Sequence, residues 1–187
     1  VDRAEARFLF AMPQEYEMNQ TSNQPEPWLR GTLTETPAVL RAVLHALQAA
    51  EEDLIRHCGT LTDEQMHQRP GGVASVAFHL HHIPGSVDRL LTYAEGRELS
   101  DEQLQTMKAE GSPDITVSEA LQQLSQGLKA GAERIRRFDP AELEQARYVG
   151  RRRMPTTVGG LLVHVADHTQ RHVGQAITTA RIVAENK

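Results

Sequence analysis

Leu161-Leu162-Val163-His164-Val165-Ala166-Asp167-His168-Thr169-Gln170-Arg171-His172-Val173-Gly174-Gln175-Ala176 is the stretch on which the fold turns. Each helical residue advances about 100° and rises about 1.5 Å, so residues four apart share one face. Leu161, Val165, His168, His172 and Ala176 then form one continuous stripe, apolar apart from its two histidines. The same period runs from Thr156 or Thr157 to about Glu185 and predicts one long amphipathic helix. Two imidazoles one turn apart can aim their nitrogens at a point about 2 Å from each, which is the helical half of many zinc sites. His164 falls roughly 80° further round from the stripe's centre than His172, which predicts a rim position for it.

Working outward, three more long helical patterns emerge. The first starts near Thr36-Pro37, a cap followed by a proline suited to the first helical position, and runs to Cys58 with Val39, Leu40, Val43, Leu44, Leu47 and Leu54 on one face. Thr62-Asp63-Glu64-Gln65 reads as the capped start of a brief helical turn, and Arg69-Pro70-Gly71-Gly72 as a break. The second runs from Ala74 or Ser75 to between Tyr93 and Gly96, with Pro84 expected to kink it. The third spans Ser118 to Phe138. Residues 97–116 make a long connection with a short extra helix around Asp101 to Lys108, and residues 139–155 a second loop. That loop carries Arg151-Arg152-Arg153, a run expected to be solvated unless the loop folds over the site and meets an anionic substrate. No segment reads convincingly as a strand. Four long amphipathic helices predict an all-α four-helix bundle over residues 31–187. Residues 1–30, polar and Pro-containing in their second half, read as an N-terminal arm that packs back through Trp28 and Leu29 or onto a second subunit.

Composition narrows the function classes. The chain has 187 residues, the length of one ordinary domain, and few aromatics, as suits a helical core of Leu, Ala and Val. A net charge of −5 argues against sequence-independent nucleic-acid binding, which needs a basic face. The single cysteine, Cys58, excludes an intramolecular disulfide. No apolar run approaches the roughly 20 residues that span a bilayer, and Arg3, Glu5 and Arg7 interrupt any signal-peptide pattern. A cytoplasmic protein is the expectation.

Nine histidines are many for this length, and a second cluster, His79-Leu80-His81-His82, lies on the second helix. It is the obvious source of a third metal ligand. On a wheel centred through Ile83, His79 lies closer to the core than His82, although Pro84 disturbs that helix. Several catalytic patterns are missing. Thr169, Gln170 and Arg171 separate His168 from His172, so no H-E-x-x-H places a glutamate base on the helix. Only Glu64-Gln65-Met66-His67 fits the E-x-x-H of a di-iron bundle, and it lies outside the long helices. His57 and Cys58 are adjacent and so point apart on a helix. Asp167 and Arg171, four apart, should form a surface ion pair.

Two segments together resemble the DinB-like (YfiT-like) superfamily. They are Ser75-Val76-Ala77-Phe78-His79-Leu80-His81-His82-Ile83-Pro84-Gly85-Ser86, with Arg89-Leu90-Leu91 after it, and His164 to Gln175. The similarity covers most of residues 37–184. The resemblance implies a bundle with a crossover between its second and third helices, and metal ligands at His82, His168 and His172, with His79 kept as the alternate. It also implies a divalent transition metal (Zn, Ni or Fe), a small-molecule substrate and a possible homodimer. The activities it implies are thiol-dependent transfer or isomerisation, which use a low-molecular-weight thiol, or hydrolysis. The alternative is a non-catalytic metal-binding or stress-response module. The missing helix-borne glutamate favours thiol or carbonyl activation over water activation. Residues 1–30 are not part of the family's usual pattern.

Overall fold

A computed structural model describes residues 24–111 and 114–185; the reading of residues 1–23 as an arm lies outside the described residues. Six helices follow in order: α1 (Ala38–Cys58), α2 (Asp63–His67), α3 (Val76–Ala94), α4 (Asp101–Ala109), α5 (Val117–Ile135) and α6 (Val158–Glu185). A two-stranded antiparallel hairpin, β1 (Ala146–Val149) and β2 (Met154–Thr157), precedes α6. The hairpin corrects the expectation of a plain loop at residues 139–155. Strands of four residues, one interrupted by Pro155, are too short to show a period-two pattern.

The helix starts follow local chemistry. Thr62, Ser100 and Thr116 each accept a hydrogen bond from the backbone N–H three residues on, and Gln65, Gln103 and Glu119 reach back to complete capping boxes. The Ser75 side chain accepts from Phe78 N–H at the start of α3. At α1 the cap residue is Pro37 itself, not Thr36, and no side chain caps that end.

The long helices α1, α3, α5 and α6 form the bundle, and each packs against two others in the cyclic order α1, α6, α3, α5. Contacts along each pair fix direction. The Gln170 side-chain amide donates to the Ala46 carbonyl, and the Arg181 charge reaches His57, so α1 and α6 run parallel. Gly127 lies against Pro84 and Gly131 against Val87, so α3 and α5 also run parallel. Two parallel neighbours need a connection that returns the full length of the bundle, and residues 95–116 with α4 supply it. That is the crossover expected between the second and third long helices.

α3 continues unbroken through Pro84. A Cβ at Gly127 would run into the Pro84 Cβ, and one at Gly131 would come within 2.6 Å of Val87. The two glycines, one turn apart on α5, therefore let the helices approach closely. Arg134 locks the same pair, bonding Asp88 at 2.6 Å and Glu95 at 2.7 Å. The core is a continuous cluster of Leu, Val, Ala and Ile from all four long helices, including Leu44, Leu54, Leu80, Ile83, Leu124 and Leu162. Trp28 and Leu29 do not pack back on it; they are 61% and 56% exposed. That segment is held to α1 by the buried Pro27 and by a paired hydrogen bond from Arg30 to Glu52 at 2.7 Å. Among the described residues no helix is long and apolar enough to cross a membrane.

Candidate metal centre

The buried stripe of α6 is Leu162, Val165, Thr169, Val173, Ala176 and Ala180. His168 and His172 flank this stripe and are only half-buried, which corrects their reading as core positions. On α3 the wheel orders the two candidates correctly. His79 is buried, at 3% exposure, and His82 is half-buried. The histidines meet at the edge of the core, where α3 and α6 run antiparallel and face each other.

His82, His168 and His172 each offer a ring nitrogen, and the three nitrogens lie within 4.8 Å of one another. The closest approach is His82 Nε2 to His168 Nε2, at 3.0 Å. The ring centroids of His82 and His168 each stand about 4.5 Å from that of His172, at 4.4 and 4.5 Å. Imidazoles bound to one tetrahedral ion at about 2.0–2.1 Å would hold their nitrogens about 3.3 Å apart. The donor set therefore suits a divalent transition ion after small ring movements. Burial is the main force that lowers the His168 and His172 pKa values to about 4, with the His82 charge adding to it. At neutral pH both are the unprotonated ligands that a metal needs.

His79 stays outside this trio and serves it from behind. Its Nδ1 lies 3.0 Å from His172 Nδ1. Burial, followed by the His82 charge, lowers its own pKa to about 4, so it is neutral as well. Phe78 sits among these rings, stacked on His82 at 5.1 Å and edge-on to His79 at 5.2 Å. His164 takes the rim position expected of it, with its side chain 46% exposed and its ring 5.4 Å from His168. His81 is not part of the trio. Asp167 and Arg171 form the expected surface pair at 2.5 Å.

The residue that the sequence reading missed is Glu110, the C-terminal cap of α4. It is 4% exposed. One carboxylate oxygen bonds His82 Nδ1 at 2.7 Å, and the other accepts from the Arg89 guanidinium at 2.5 Å. Burial alone would raise its pKa, but the hydrogen bonds from His82 and Arg89 outweigh that and hold it below the usual glutamate range. A carboxylate on Nδ1 turns the other nitrogen, Nε2, toward the trio and makes it a better donor. Gly85 makes room for this pair, since a Cβ there would come within 2.6 Å of Glu110 Oε1. Arg89, quoted earlier only as part of a family segment, is the buried counter-ion of the arrangement. Glu110 itself lies in a polar connection with no core pattern around it.

The other residues weighed from the sequence stand elsewhere. Burial pushes the Cys58 thiol up to about 12, and the group is fully enclosed, so it is no nucleophile at neutral pH. His67 bonds the Ile115 carbonyl at 2.9 Å, away from the trio. Arg151 to Arg153 form the turn of the hairpin rather than a cover over the histidines.

The comparisons agree with this architecture. A family-wide profile for the DinB superfamily matches residues 29–176. Among solved structures, YfiT from Bacillus subtilis superposes with a TM-score of 0.58 at 17% identity, covering 78% of this chain and 87% of that one. YfiT is described as a probable metal-dependent hydrolase with an unusual four-helix bundle topology. No curated protein matches the chain.

Proposed function

The chain belongs to the DinB superfamily, and from that premise we propose that it is a divalent-metal-dependent enzyme acting on a small molecule, with His82, His168 and His172 as the metal ligands. The observation that carries this is the convergence of three half-buried imidazole nitrogens within 4.8 Å. Three half-buried histidine ligands would leave at least one coordination position for water or substrate, as catalytic sites do and closed structural sites do not. A bound Zn, Ni or Fe ion would supply Lewis acidity, lowering the pKa of water or a thiol or polarising a carbonyl. Glu110 bonds Nδ1 of His82 and leaves Nε2 of that ring to ligate, and His79 lies 3.0 Å from Nδ1 of His172, which leaves Nε2 of that ring for the metal. Phe78 packs against His79, His82 and His172.

Hydrolysis is the class supported by the likeness to YfiT, which is described as a probable metal-dependent hydrolase. Glu110 is spent on Arg89 and His82, so it is not a free base for water activation. That keeps transfer to a low-molecular-weight thiol as the competing chemistry. The discriminating assay reloads metal-free protein with Zn, Ni or Fe and screens ester and amide hydrolysis with and without an added thiol. Turnover that needs no thiol supports hydrolysis, and turnover that appears only with thiol supports transfer. The first step is elemental analysis of untagged protein, where His168→Ala is expected to lose the metal; unchanged metal content in that variant would overturn the reading.

A second reading has its own observation. The three histidines come from α3 and α6, so an ion there would also clamp two helices together. A metal-free protein that unfolds, with no exchangeable solvent on the bound metal, favours this non-catalytic role.

A further inference from the structure

A cavity lies away from the histidines, where the hairpin closes over the C-terminal end of α3. Its volume is about 580 Å³, within the range of small-molecule sites. Tyr93 of its wall stands about 16 Å beyond His82 along α3, from the rise per residue, so the two sites are separate. Arg97, Arg147, Arg151 and Arg153 line it, with Tyr148 between them. Glu98 is the only carboxylate in the lining.

The arginines differ in what already engages them. Arg97 pairs with Glu95. Arg147 is fixed by the Ala94 carbonyl at 2.7 Å and by bonds to Ala146 and Gln145. Arg153 lies over the Tyr148 ring, 4.5 Å from its centroid, a contact that orients the guanidinium while leaving its N–H groups unbonded. Arg151 has no hydrogen-bond or ion-pair partner among the described residues. Two guanidinium groups with free donors therefore share a concave site with two fixed ones.

The backbone adds an independent sign. Arg153 has φ 49°, in the left-handed region. That conformation is disfavoured for a residue with a Cβ. Glycine is the easy solution in such a turn, as at Gly150 with φ 66°. A strained arginine in its place points to a use for the side chain.

We propose that this cavity binds the phosphate group of a small phosphorylated organic molecule. Phosphate fits better than carboxylate because its three terminal oxygens and near-double charge can accept from several guanidinium forks at once. The leucine side of the cavity, Leu99 and Leu104, suits the organic body of the ligand. The site stands independently of the metal reading.

Isothermal titration of the full chain with phenyl phosphate tests this, using benzoate and benzyl alcohol as carboxylate and neutral controls. Phenyl phosphate should bind saturably and at least about ten-fold tighter than benzoate, a difference of one good charge-assisted contact. The Arg151→Ala/Arg153→Ala double variant should weaken binding by at least about ten-fold. Arg137→Ala, which removes an exposed arginine outside the cavity, should leave it unchanged. Arg153→Gly should weaken binding, by less than the double variant, while its Tm holds or rises, which separates loss of the ligand contact from loss of the fold. His82→Ala should bind phenyl phosphate like the parent, so a failure of the metal reading would not affect the outcome. The proposal is overturned by no saturable binding at millimolar phenyl phosphate, by equal affinity for benzoate, or by an equal loss in Arg137→Ala.

Discussion

Glu110 shows what a single residue contributes that its sequence neighbours do not announce. It ends a short, polar helix, yet it is almost fully enclosed and joins Arg89 to His82. Replacing it with glutamine keeps the shape but removes the negative charge from the oxygen that bonds His82 Nδ1. Outer-sphere changes of this kind cost about 10–100-fold in metal affinity. Glu110→Gln is therefore expected to weaken zinc binding by that factor in a competition titration with a chromophoric chelator. An affinity equal to the parent's would remove Glu110 from the positioning role. Cys58 supports a prediction of the opposite kind. Its thiol pKa rises from 9.0 to about 12 on folding, with burial as the cause. Between those values the unfolded chain loses the proton while the folded chain keeps it, so stability falls as pH rises, by up to about 1.4 kcal/mol per pH unit. Urea titrations at rising alkaline pH should show a steeper loss for the parent than for Cys58→Ala; parallel slopes would show that the thiol is not so enclosed. At this scale the sequence was informative about His168 and His172, because four-residue spacing needs only a helix. It was silent on Glu110, because a lone glutamate in a polar connection looks like any solvated one.

At the scale of elements, the helices were legible wherever local chemistry sets their ends. Ser75, Thr62, Ser100 and Thr116 cap the helices that follow them. Removing the Thr116 side chain in Thr116→Ala should cost about 0.5–2 kcal/mol in chemical denaturation. Pro84 is the instructive position. The proline stays within a continuous α3 because Gly127 of α5 leaves its ring a place to sit. Gly127→Ala would place a methyl group against that ring, and overpacking of this kind costs about 1–3 kcal/mol. A Gly127→Ala protein as stable as the parent in a urea melt would show that the α3–α5 approach is looser than it looks. The hairpin escaped notice for the reason that its strands are four residues long, and pairing partners cannot be read from such short runs.

For the whole molecule, the direction of the helices decides what meets. Because α3 and α6 run antiparallel, His79 faces His172 while His82 faces His168. Under the proposed reading, an ion held between them would bind the folded state in preference to the unfolded one, so its removal should lower stability by mass action. Chelator treatment is expected to reduce the Tm of the parent protein and leave that of His172→Ala unchanged. An identical Tm before and after chelation, with loss of metal verified, would separate the trio from any role in stability. What the sequence determined by itself was the bundle class, the crossover-length connection and the α6 pair, all of which follow from periodicity, capping and chain length within one element. The third member did not follow from the helical pattern; the family resemblance pointed to His82, and the structure groups His82 with the α6 pair. The wheel identified His79 as the more buried histidine, correctly, but the nitrogens gather at the edge of the core, where His82 lies. Burial can be inferred from one helix, whereas convergence depends on the relative height and rotation of two. Those are fixed by packing across the bundle, by contacts such as Pro84 on Gly127 and Arg134 on Asp88, between residues far apart in the chain.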